Sequence, residues 1–199
     1  MAVMSKNPNF DMPVSFGMFG TVNKHTYKNV QTLATGDTEA VFFQDKVGFP
    51  FLTNLEGQGG ELPKNIGFSV EGISLQIIVP EGKTNTIGLN AVIKMLVQSI
   101  IRVELASDNY CEFAGSEFLP SVVNNIDTGA TNVFVSNSPI NSLLTIDLYD
   151  NPIPLEPQTG FRFDILSDFE LPAEADGIQL VMMLKGEKFK KSTAGAARV

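Results

Sequence analysis

Chemistry on a substrate needs His, Cys, Ser or carboxylate groups held at spacings that a rigid element can align. This chain offers few such sets. It carries one His, His25, and one Cys, Cys111. His25 has no Ser, Cys or carboxylate beside it in sequence and sits in an irregular polar stretch, so a catalytic role is not expected. Cys111 lies between Tyr110 and Phe113 in a strand-like segment and reads as a buried, inert thiol. A single Cys also excludes an intramolecular disulfide. The run Gly57-Gln58-Gly59-Gly60 invites a phosphate-loop reading, but Glu61, Leu62 and Pro63 follow it where a helix N-terminus is required. It is expected to be a turn. Gly186 to Ser192 looks like the end of a Walker A loop, yet Lys190 occupies the position of the second glycine, and Ser192 to Val199 are too short for the following helix. Three carboxylate pairs stand out: Asp147 with Asp150, Glu174 with Asp176, and Asp164 with Asp168. None fits a calcium-loop pattern, and no HExxH is present, so they are read as surface acids. No catalytic, metal or cofactor site is expected, and no enzyme.

The elements that would have to position such groups are mostly strands. Glu39 to Phe43 is short and apolar. Phe68 to Val79 alternates strongly, and its phase flips at Gly72, which predicts a bulge or bend there. Thr86 to about Gln98 has the spacing of a helix, with Ile87, Ala91 and Met95 in one row and Leu89, Ile93 and Leu96 beside it. Ile101 to Ala106 and Tyr110 to Phe113 predict a hairpin across a turn at Ser107, Asp108 and Asn109. Asn132 to Val135, Ser142 to Tyr149, Gly160 to Phe169 and Ile178 to Leu184 complete the set. Pro152, Pro154 and Pro157 are expected to break any ladder between the last three. In the final strand Val181 and Met183 make the second face apolar, which predicts burial on both sides or contact with a neighbouring chain.

Many short strands, Pro and Gly turns and one helix within 199 residues predict an all-β fold: a single antiparallel jelly-roll β-sandwich with one inserted helix. The expected division is an irregular N-terminal arm over 1–35, the jelly roll over 36–186 and a basic C-terminal tail over 187–199. Phe10, Phe16 and Phe19 lie in the arm with no core of their own, so they are candidate anchors to neighbouring subunits. Net charge is −8, which disfavours nucleic-acid binding by the body of the protein. From Lys185 onward the balance reverses, with Lys185, Lys188, Lys190, Lys191 and Arg198 against Glu187 alone. Those five residues form a candidate surface for genome or lipid headgroups. The N-terminus has no apolar core of a signal peptide, and the most apolar run, Ala91 to Ile101, contains Lys94 and Gln98 and is too short to span a bilayer.

Three patches carry a resemblance. They are Phe51-Leu-Thr-Asn54 through Leu55-Glu-Gly57 and Glu61-Leu-Pro63 to Phe68-Ser-Val-Glu-Gly-Ile73; Ile101 to Tyr110 running on to Phe118-Leu-Pro120; and Asp176 to Gly186. In this order, over roughly 43–191, the chain resembles the jelly-roll major capsid proteins of tailless icosahedral bacterial viruses (bacteriophage). The resemblance implies a virion structural protein, made in the host cytoplasm, that self-assembles as a homo-oligomer into an icosahedral shell. Its implied partners are other copies of itself and other capsid proteins, with an internal membrane or the genome as candidate contacts of the C-terminal tail, and no small-molecule substrate. Loops 57–65 and 115–131 would set lateral contacts. The chain is too short for two stacked jelly rolls. The rival readings are a virion spike or lectin-like jelly-roll binding module, a minor capsid protein, and a metal-bearing cupin. The absence of Trp weakens the lectin and the single His weakens the cupin.

Overall fold

The strand over Phe68 to Val79 sets the frame. In the computed structural model, which describes residues 19–44, 60–80, 86–118 and 144–191, it is β3, Ile66–Ile78. It lies third in a sheet ordered β1-β9-β3-β6, with β1 Phe19–Thr32, β9 Gln179–Lys191 and β6 Leu144–Asp147. The short strand β7, Ile153–Leu155, also pairs with β3. A second sheet runs β2-β8-β4-β5, with β2 Glu39–Phe42, β8 Phe161–Ser167, β4 Ser99–Leu105 and β5 Asp108–Ala114. Every strand pair is antiparallel.

β6 and β7 behave as one interrupted strand, because β3 takes β6 along Gly72 to Leu75 and β7 along Phe68 to Val70. Counted so, the nine strands among the described residues become eight, and their pairs nest: β1 with β9, β2 with β8, β3 with β6–β7, β4 with β5. That nesting, folded into two sheets, is the jelly roll. The expected sandwich is present, and α1, Thr86–Val97, is inserted between β3 and β4.

The core lies between the sheets. Tyr27, Phe68, Val70, Ile73, Leu75, Leu180, Met182 and Leu184 face Phe42, Ile101, Val103, Phe163 and Ile165. Burying each large side chain is worth about 1.5–3 kcal/mol relative to leaving it in water. The phase flip at Gly72 is a bulge: β3 skips from Val70 to Gly72 against Gly186 and Lys185, leaving Glu71 over. Without that extra residue Phe68 and Ile73 would face opposite sides, and both are fully buried. α1 buries Val92, Met95 and Leu96. It sits so close to the turn Ala173–Ala175 that a Cβ on Gly88 would meet the Glu174 carbonyl oxygen at 2.2 Å.

Three expectations change. Residues 19–32 belong to no irregular arm; they form β1, hydrogen-bonded along its length to β9. Its polar outer residues hide the strand in sequence, and its partner lies at the far end of the chain. Nor does a tail begin at 187, because β9 continues through Lys191 as an interior strand between β1 and β3. Pro154 does not break the ladder: it pairs with Ser69 on β7, an edge strand, where a residue without an N–H is tolerated. The strand expected over Asn132 to Val135 lies outside the described residues. The two-faced final strand is buried on both sides within the chain, since Val181 and Met183 cluster with Val30 and Ile78 on the face away from the core.

Candidate functional site

The residues expected to make contacts are reorganised by β9. Strand alternation and the β3 and β1 registers send them to opposite faces. Lys185 shares the outer face with Thr26 and Met183. Lys188 pairs with Phe68 on the core-facing side, where its ammonium lies 5.9 Å from the centre of the Tyr27 ring. Lys190 is exposed beside Ile66. Lys191 closes the strand opposite Phe19, which opens β1. Arg198, Phe10 and Phe16 lie outside the described residues. Acids interleave with these bases: Lys24 bridges Glu71 and, at 3.2 Å, Glu187. Burial pulls the Lys24 ammonium down, but the two carboxylates outweigh it and hold it above its ordinary value. The lysines of β9 therefore do not gather into one basic patch, which sequence counting could not foresee without the register.

The outer face of the second sheet carries a network of ion pairs. Arg102 meets Glu112 at 3.0 Å, and Arg162 meets Glu104 at 2.9 Å and Asp164 at 3.0 Å. Asp164 is 2% exposed, and its Oδ1 accepts no hydrogen bond. Burial pushes its carboxyl above the ordinary range; Arg162 opposes this, and Glu104 and Glu39 add to it. Asp164 and Asp168, an apparent pair in sequence, are thus unlike: one is buried in a charge network and the other is exposed.

His25 packs edge-on against Tyr27 with ring centres 4.6 Å apart, in β1 beside Gly186 of β9. That is a packing position. Cys111 pairs with Val103, half-buried against the core. Burial first, then the charge of Glu112, push its thiol up to about 11, so it is a poor nucleophile at neutral pH. Gly60 works as a turn residue: its φ is 74° and its carbonyl accepts the Phe161 N–H at 2.7 Å. Among the described residues no three His, Cys, Asp or Glu groups converge as metal ligands, and no helix is long and apolar enough to cross a membrane.

What this arrangement offers is a set of sheet edges. β1 and β2 end the two sheets on one side, and β5 and β6–β7 end them on the other. Among the described residues each such strand has one row of backbone groups outside the ladder. Hidden in the sequence was the role of β1 as an edge; only its pairing with β9 reveals it.

No family model matches the chain, and no curated protein does. Among solved structures, the X-ray structure of tomato aspermy virus is similar over 98% of this chain and 92% of that one, at 13% identity and a TM-score of 0.30. The likeness is to a virus, and at that TM-score it carries no argument by itself.

Proposed function

We propose that the chain is a virion structural protein, the major capsid protein of a tailless icosahedral bacteriophage, and that its activity is self-assembly. The observation that carries this reading is the nested jelly-roll order of the strands around an interior filled with side chains. Jelly rolls serve as capsid, lectin and cupin domains, and fold alone does not choose among them. A cupin works from inside the sandwich. Here that space holds Phe42, Phe68, Phe163 and the aliphatic residues between them, all fully buried. The resemblance over roughly 43–191 supports the capsid reading among those that remain.

In this reading the chain is structural and not an enzyme. Copies meet through the free edges of the two sheets. Phe10 and Phe16 would anchor onto a neighbouring subunit, and Lys190 and Arg198 would face genome or lipid headgroups inside the virion. Many weak copies of one contact make a shell cooperative, and symmetry fixes its geometry. The test is light scattering with negative-stain imaging across protein concentration and ionic strength. Trimers, pentamers, hexamers or closed shells are expected. A strict monomer under all conditions would remove the reading.

A further inference from the structure

Two of the chain's three tyrosines stand together at the surface, and the third, Tyr27, is fully buried. Tyr110 and Tyr149 are 50% and 51% exposed. They border a shallow groove of about 640 Å³ between β5 and the β6–β7 connection, within the size range of ligand clefts. Its polar lining includes Asp147, Asp150 and Asn151, and Phe113 lies among its apolar groups.

Both tyrosines are placed by the backbone. The β4–β5 register jumps from Val103–Cys111 to Glu104–Asn109, so Tyr110 is the extra residue of a bulge, a device that re-aims a side chain. Tyr149 is fixed by its own N–H, which donates to Asp147 Oδ1 at 2.9 Å. The next turn is closed by the Asn151 N–H donating to the Leu148 carbonyl at 3.0 Å. Leu148 roots this segment: it is buried, and its N–H donates to the Glu71 carbonyl at 2.8 Å.

We infer that this groove binds a neutral oligosaccharide, whose apolar sugar faces lie on Tyr110 and Tyr149 and whose hydroxyls donate to Asp147 and Asp150. The chemistry of the lining matches such a ligand. Aromatic faces with a polar handle suit ligands that are apolar on one side and wet on the other. Carboxylates accept two or more hydroxyl donors each. Two exposed carboxylates repel an anionic sugar, which selects neutral ligands over sialylated ones. The groove lies at the edge formed by β5 and β6–β7, so the site is open on a subunit whose edge there is not taken up in assembly.

Tyrosine fluorescence reads the site directly, because there is no Trp and Tyr27 supplies a constant buried background. The full chain is titrated with chitotriose, cellotriose, maltotriose and, as the anionic comparison, sialyllactose. A saturable change with at least one neutral trisaccharide is expected. Tyr149→Ala should weaken that binding about tenfold or more, while Tyr149→Phe retains most of it. Circular dichroism should show both variants folded, since the position is exposed. No response to any neutral trisaccharide, a response to sialyllactose alone, or equal binding by Tyr149→Ala would overturn the assignment. Light scattering on the same samples reads assembly separately, so loss of one property without the other distinguishes the two proposals.

Discussion

Gly186 tests the register on which the whole topology rests. It lies in β9 with His25 of β1 on one side and Val70 of β3 on the other, beside the Glu71 bulge. A Cβ built there falls 1.8 Å from the Ser69 carbonyl oxygen, 2.9 Å from its carbon and 3.1 Å from the Glu71 nitrogen, whereas ordinary contact begins at 3.4 Å. Gly186→Ala must therefore part β3 from β9 by about 1.6 Å, and the obstacle is backbone, which cannot rotate away. Hydrogen bonds with N···O near 2.9 Å do not survive that displacement. Losing two of them costs about 1 kcal/mol each, and overpacking adds about 1–3 kcal/mol. A total of about 3–5 kcal/mol is a large share of the roughly 5–15 kcal/mol that holds a domain together. At about 2–4 °C per kcal/mol for this chain length, Tm should fall by roughly 10 °C. Gly160→Ala is the control: nothing lies within 4 Å of its Cβ, so Tm should hold or rise by a few degrees. The assay is thermal unfolding followed by circular dichroism, at concentrations where the subunit is unassembled. A Gly186→Ala protein that melts within 2 °C of the parent would refute the β3–β9 register, and with it the nested strand order.

Two further outcomes follow from titrating groups. With its thiol pushed up to about 11 from the reference 9.0, Cys111 should react with iodoacetamide about a hundredfold more slowly at pH 8 in the native protein than in urea, and the native rate should climb about tenfold per pH unit up to pH 10; equal native and unfolded rates would contradict its burial. Asp164 is raised in the fold, so the native state holds its proton more tightly than the unfolded chain, and Asp164 contributes stability at low pH that is lost as pH rises through its folded value. Asp164→Asn removes this dependence, so the Tm of the variant relative to the parent should improve from acid to neutral pH; a difference that moves the other way would mean that the Arg162 pair dominates.

Much of the sandwich was legible because its inward residues alternate. The β3 flip at Gly72 could be read from Phe68, Val70, Ile73 and Leu75 alone, since only a bulge keeps all four on one face. α1 was legible from its row of Ala91, Met95 and neighbours. β1 was not. Its outer residues, Lys24, Thr26 and Lys28, are those of a solvated segment, and what makes it a strand is β9, which no local window contains. β7 was masked by prolines that an edge strand accepts. Composition alone made the basic residues look like one surface, because charge counting ignores strand alternation, and β9 separates Lys185 from Lys188. The tyrosine groove left one faint sign: Tyr149 stands two residues after Asp147 in a Pro-rich stretch, the spacing at which an aspartate side chain caps a following N–H.

The place of β9 also governs when the protein can exist. Among the described strands it is the last to be synthesised, yet it lies inside its sheet, between β1 and β3. Until it leaves the ribosome, β1 has no ladder partner and β3 has only β6 and β7 along part of its length. The second sheet, by contrast, is complete once β8 emerges. The first sheet therefore closes only once β9 has been made, and the closing step joins strands far apart in sequence, the slow kind of contact. A nascent chain has half a sandwich and no finished edge on its first sheet. In any assembling system this acts as a clock: a subunit that lacks β9 cannot enter the structure.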